Sequence, residues 1–139
     1  MSSEARRLAG ILLVVYPSVL YGGTSLLYLL LSPQSGYAEN ELRRGLWQAG
    51  HAHAGVLLLL SLVILRYVDE ANLPNALKIF ARHSAPIAAI LLPVAFFLSV
   101  VSPTATEPNA LIYLAYVGAV ILAVGLLILG VGLLRPAKK

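Results

Sequence analysis

The sequence predicts an all-α polytopic membrane protein, a bundle of four transmembrane helices with both termini cytoplasmic. Three observations predict it. The chain of 139 residues is 59% hydrophobic and only 12% charged, and its mean hydropathy is +0.84, leaving too little polar surface to cover a water-soluble globule. Four apolar runs are long enough to cross a bilayer: 8–31, about 46–68, about 84–102 and 110–134. The basic residues are distributed unequally between the two sides that four spans define. Arg6, Arg7, Arg66, Lys78, Arg82, Arg135, Lys138 and Lys139 fall on the side of the termini, against Arg43 and Arg44 on the other, and the side richer in Lys and Arg is the cytoplasmic one.

The runs lack the alternation of a barrel strand. A hydrocarbon layer leaves backbone groups nothing to bond except one another, so they are read as helices. The connections are too short for a second domain, and residues 1–139 form a single transmembrane unit in a cytoplasmic (inner) membrane. The net charge of +4 is explained by topology and anionic lipid. No basic patch interleaved with aromatics points to nucleic acid. With no cysteine in the chain, disulfides, thiolate metal sites and cysteine nucleophiles are excluded.

The first run follows Arg6-Arg7 and is too long for a signal-peptide core; without a clear small-x-small cleavage site it reads as a span. Pro17 interrupts its middle and invites a kink. Tyr21-Gly22-Gly23-Thr24-Ser25 then supplies small and hydroxylated residues, which let helices approach and bond back to the backbone. Tyr21 and Tyr28 lie two turns apart, hence on one face.

Pro33, Gly36 and Tyr37 mark a loop. Asn40-Glu41 reads as a helix start, a side-chain cap followed by an acid at the positive end of the dipole. The second span then carries Trp47 at the interface belt and His51 and His53 at the outer edge of the hydrocarbon. These are two of the chain's three histidines. Ionisable or strongly polar side chains inside a span usually mark function, because they cost several kcal/mol unless partnered. Two positions on a helix amount to about 200° of rotation, so the two imidazoles leave opposite faces and cannot ligate one metal within one regular helix. Gly45, Ala49, Gly50, Ala52, Ala54 and Gly55 surround both with small residues, room for a close helix or a flat ligand.

The link from Arg66 to His83 suggests a short surface helix from Pro74 to Ala81, with Lys78, Arg82 and His83 as an anchoring patch at anionic headgroups. Pro86 fits the first turn of the third span and Pro93 bends its middle. The fourth span opens with Tyr113 and Tyr116, near one face and at the depth of the histidines. Ala115, Ala119 and Ala123, with Gly118 and Gly125, form a small-residue stripe suited to packing within the chain or to a homodimer.

Gly50-His51-Ala52-His53-Ala54-Gly55, followed by Val56-Leu57-Leu58, resembles the His-x-His helix opening of haem–copper oxidase subunit I relatives and of haem-containing nitric-oxide-response membrane proteins. It is also similar to a string in small bacterial four-span membrane proteins. The oxidase-type resemblance implies that His51 or His53 is an axial haem or metal ligand. The remaining histidine, His83, falls at the cytoplasmic start of the third span. The arrangements left open are a two-chain site, a five-coordinate haem or a His/Tyr site.

Tyr21, Tyr28, His51, His53, Tyr113 and Tyr116 all belong to the outer half of the bundle, and their convergence there is the candidate cofactor site. Imidazole and phenol can ligate a metal, hydrogen-bond a small ligand or pass protons. Three functions are compatible: a haem- or metal-binding membrane protein with a redox or gas-related role; a small oligomeric transporter or channel gated by His51; and an accessory subunit of a larger membrane complex. No carboxylate lies within a span and no nucleophile–base pair stands out, which argues against hydrolysis.

Overall fold

A computed structural model describes residues 1–136. Four helices follow one another: α1 (Ser3–Leu30), α2 (Glu41–Tyr67), α3 (Asn75–Leu98) and α4 (Leu114–Leu134), with short 3-10 turns at Pro33–Ser35 and Ala110–Tyr113. All four, the last counted with its preceding turn, are long and apolar enough to cross a membrane. The 28 residues of α1 reach about 42 Å at 1.5 Å per residue, more than a hydrocarbon core of about 30 Å.

Local chemistry sets the starts. The Ser2 hydroxyl accepts from the Ala5 amide at 3.3 Å, so α1 begins near the terminus rather than at Leu8. Asn40 Oδ1 accepts from the Arg43 amide at 3.0 Å and starts α2 at Glu41, as its cap signal predicts. α1 runs through Pro17 without a break.

The third span differs from its expected bounds at both ends. The separate surface helix from Pro74 to Ala81 does not form; these residues are the first turns of α3, which is continuous from Asn75. Extending the helix places Arg82 in the interior among its carboxylates. At the far end, Asn109 takes the closing carbonyls, its side chain donating to Leu98 at 3.0 Å and its amide to Ser99 at 2.9 Å. Residues 99–102 therefore belong to the turn.

The helices pack in series, α1 on α2, α2 on α3 and α3 on α4. Leu12, Leu58 and Leu65 form the first seam; Ile64, Ala81, Ala85 and Leu129 the last; Leu57, Ala88 and Leu92 lie between. In α4, Gly118 and Gly125 meet Leu92 and Ser84 of α3, and Gly132 meets Leu73. The glycine repeat thus serves packing within the chain, while Ala119 and Ala123 face outward.

The first and last described residues lie at one end of the bundle. There the Ser2 amide donates to Asp69, Arg82 pairs with Glu4 and with Asp69 (Nη2–Oδ1, 3.2 Å), and Asn72 donates to Gly132 and Pro136 carbonyls at 2.9 and 2.7 Å. This end gathers Arg6, Arg7, Arg66, Lys78, Arg82 and Arg135; Lys138 and Lys139 of the predicted basic set lie outside the described residues. The anchoring patch is corrected in part. Arg82 is 4% exposed and its charge is spent on carboxylates, as a buried charge requires. Lys78 donates to the Asp69 carbonyl at 2.8 Å. Only His83 of the three is exposed.

Candidate functional site

His51 and His53 leave α2 in opposite directions, as two positions on a helix demand. His51 turns toward α1. Its ring lies against Gly22 and Gly23, so closely that a Cβ on Gly23 would sit 2.9 Å from both Cε1 and Nε2. Val19 completes the contact of the two helices by facing Gly55 at 3.6 Å from a Cβ placed there. The ring is half-buried, and neither of its nitrogens makes a hydrogen bond among the described residues.

His53 turns toward α3, its ring 5.2 Å from that of Phe96. Its Nδ1–H donates to the Ala49 carbonyl one turn back, at 2.7 Å. A carbonyl can only accept, so this bond places a proton on Nδ1, and the neutral ring of that tautomer has its lone pair on Nε2. A metal-binding imidazole is commonly oriented through such a bond from its other nitrogen. His83 makes the same back-bond, to Ile79 at 2.9 Å, but at the exposed terminal end.

The tyrosines do not join either histidine. Tyr21 and Tyr28 do share a face of α1, but it faces away from α2, and they are 76% and 70% exposed. Between them Thr24 and Ser25 bond back to the Tyr21 carbonyl at 2.9 and 2.8 Å, satisfying both hydroxyls within the helix. Tyr113 and Tyr116 stack on each other at 6.3 Å on the outside of α4. The convergent His/Tyr site expected from depth is therefore divided over four separate places. Depth along a helix is set by sequence position, whereas the direction a side chain faces is set by which neighbour the helix packs against.

No known protein family, curated protein or solved structure matches this chain.

The donor set limits what can be held inside one chain. Among the described residues no three His, Cys, Asp or Glu side chains gather where they could hold a metal ion. α2 presents one imidazole on each of two faces, His51 toward α1 and His53 toward α3.

The outer end of α2 contains a cluster that sequence reading placed only as an interface residue and a loop. Trp47 donates from Nε1 to the Phe97 carbonyl at 3.1 Å, packs 5.8 Å from the Phe97 ring and 5.7 Å from Tyr37, and carries the Arg43 guanidinium 4.0 Å above it. Tyr37 is 1% exposed; burial pushes its phenol above the ordinary value against the opposing pull of Arg44 and Arg43. Asn40 ties the same end together by donating to Pro103 and Ala105 carbonyls at 3.0 and 3.1 Å. This is the clamp that holds the N-terminal part of α2, and with it both histidines, against α3. Its sequence signal was the recurrence of aromatics near the loop, with nothing to say that they meet.

Proposed function

We propose that the protein is a multi-pass integral membrane protein of the inner membrane, with both termini in the cytoplasm, that ligates haem or a transition metal through a histidine of the Gly50–Gly55 string in its outer half. His53 is the ligand and a second chain completes the coordination. The observation that carries this reading is the His53 ring itself. Its Nδ1–H is committed to the Ala49 carbonyl, so in the neutral ring Nε2 carries the lone pair, on a helix long and apolar enough to span a membrane. An acceptor without a partner in such surroundings is costly, and groups of this kind usually have a functional reason. The scarcity of further donors within the chain supports placing the remaining ligands on a partner.

The deciding experiment is an ultraviolet–visible spectrum with metal analysis on detergent-purified protein, comparing the natural chain with His53→Ala and His51→Ala. The expected result is a Soret band or stoichiometric metal that disappears in His53→Ala and persists in His51→Ala. A colourless, metal-free natural protein would sink the reading, and loss in His51→Ala alone would move the ligand to the α1 side.

A second reading, an accessory subunit of a larger membrane complex, is favoured by α1. Almost none of its apolar stretch is buried within the chain, and the phenols of Tyr21 and Tyr28 make no hydrogen bond among the described residues. Co-purification of a membrane partner, lost on Tyr21→Ala, would support it over the first.

A further inference from the structure

At the end where the chain begins, an open cleft of about 370 Å³ lies between α1 and α3. This lies within the range of about 300–1,000 Å³ typical of small-molecule sites. Its floor is aliphatic, made by Leu8 and Ile11 of α1 and Ile79 of α3. Ile11 and Ile79 are 49% and 43% exposed there, apolar area that the rest of the chain does not cover. The rim is cationic. Arg82 forms one wall, but its charge is committed to Glu4 and Asp69. That leaves Arg7, which forms no ion pair among the described residues, as the uncommitted cation; His83 also lines the rim, its Nδ1–H held by the Ile79 carbonyl. With Arg82 shared between two carboxylates, Arg7 is the one cation of the lining that no acid neutralises among the described residues.

We propose that this cleft seats one anionic phospholipid of the leaflet on the basic side, its phosphate on the Arg7 guanidinium and one acyl chain along Leu8, Ile11 and Ile79. A single uncommitted guanidinium beside an aliphatic floor matches a phosphodiester with a hydrocarbon tail. A free anion would leave the floor uncovered, and a choline headgroup would bring a second cation toward Arg7. The lipid also has a structural task. The contact between α1 and α3 at this end is otherwise a clip of Ser2 and Glu4 on Asp69 and Arg82, and a lipid touching both helices reinforces it.

The test is native mass spectrometry of the full chain in a neutral detergent, titrated with phosphatidylglycerol, with phosphatidylcholine, and with phosphatidylglycerol in the presence of inorganic phosphate. One phosphatidylglycerol adduct is expected, retained in excess phosphate and bound more tightly than phosphatidylcholine. Arg7→Gln removes one cation near the lipid surface and should weaken that adduct about fivefold. Ile11→Trp fills the floor and should weaken it at least as much. Arg6→Gln, one position away and outside the lining, should leave it unchanged. Both lining positions are exposed or half-exposed, and equal melting temperatures of the lipid-free variants confirm that they fold alike. Equal weakening by Arg6→Gln would reduce the effect to diffuse charge, an inert Ile11→Trp would remove the acyl seat, and displacement by phosphate would make the site one for a free anion. Any of the three overturns the proposal.

Discussion

The edge of the His51 imidazole occupies the space that a Cβ on Gly23 would need, with Cε1 and Nε2 both 2.9 Å from that position. Gly22, its neighbour, is less demanding: a Cβ there would be 3.8 Å from Nδ1, ordinary contact. The two glycines are adjacent in sequence and unequal in consequence.

Gly23→Ala should therefore displace the His51 ring and Gly22→Ala should not. The atoms in the way are the far end of a side chain, so the ring swings rather than the helices separating. With histidine nitrogens labelled, the His51 resonances should move in Gly23→Ala while those of His53 and His83 stay in place. Equal shifts in both alanine variants would mean that the notch does not seat the ring.

At the terminal end, the two carboxylates that face Arg82 should be unequal. Asp69 is the more enclosed partner, its side chain 23% exposed against 74% for Glu4. Removing one partner of a buried charge leaves the other uncompensated, whereas an exposed ion pair contributes about 0–1 kcal/mol. Asp69→Asn should thus cost about 1–3 kcal/mol and Glu4→Gln less than about 1 kcal/mol, measured as denaturation midpoints in detergent. The reverse order would place the weight of the clip on α1.

The same clip has a defined acid limit. Burial raises the Asp69 carboxyl, but hydrogen bonds from the Ser2 amide and hydroxyl, with Arg82 and the chain terminus, outweigh it and hold the group below its ordinary 3.8. A carboxyl whose folded value is depressed contributes stability that is fully present above its unfolded value and is lost as pH falls through the folded one. Hydrogen-exchange protection over the first turns of α1, taken relative to the unfolded chain at the same pH, should stay constant from neutral pH down to the ordinary carboxylate range. It should fall only below that range. A fall near the histidine range instead would assign the clip to His83.

On α4, Gly125 has no space for a methyl group, because the Ser84 side chain occupies it, whereas Gly130 has nothing within 4 Å. Gly125→Ala should destabilise by about 1–3 kcal/mol through overpacking, and Ser84→Gly should recover part of the loss. Gly130→Ala should be neutral or stabilising by up to about 1 kcal/mol, since it only replaces glycine in a helix interior. Thermal unfolding of Gly125→Ala, of Gly125→Ala with Ser84→Gly, and of Gly130→Ala checks both statements.

The sequence by itself determined the all-helical class, the number of apolar helices and which loops share an end, because runs of apolar residues and local caps such as Asn40 act over a few neighbouring positions. It also determined that His51 and His53 diverge, which follows from helical rotation alone. What only the tertiary structure decided is which neighbour each face meets. Tyr21 and Tyr28 share a face but turn from the bundle, and Gly118 and Gly125 serve α3 rather than a second copy. Arg82 has the composition of a surface anchor, yet it is buried because Glu4 and Asp69, distant in sequence, arrive beside it. The same holds for the notch at Gly23 and the cleft between Arg7 and His83, each built from two helices. The difference is physical: hydrophobic burial is non-directional, so a pattern of apolar residues says that a helix will be covered without saying by what.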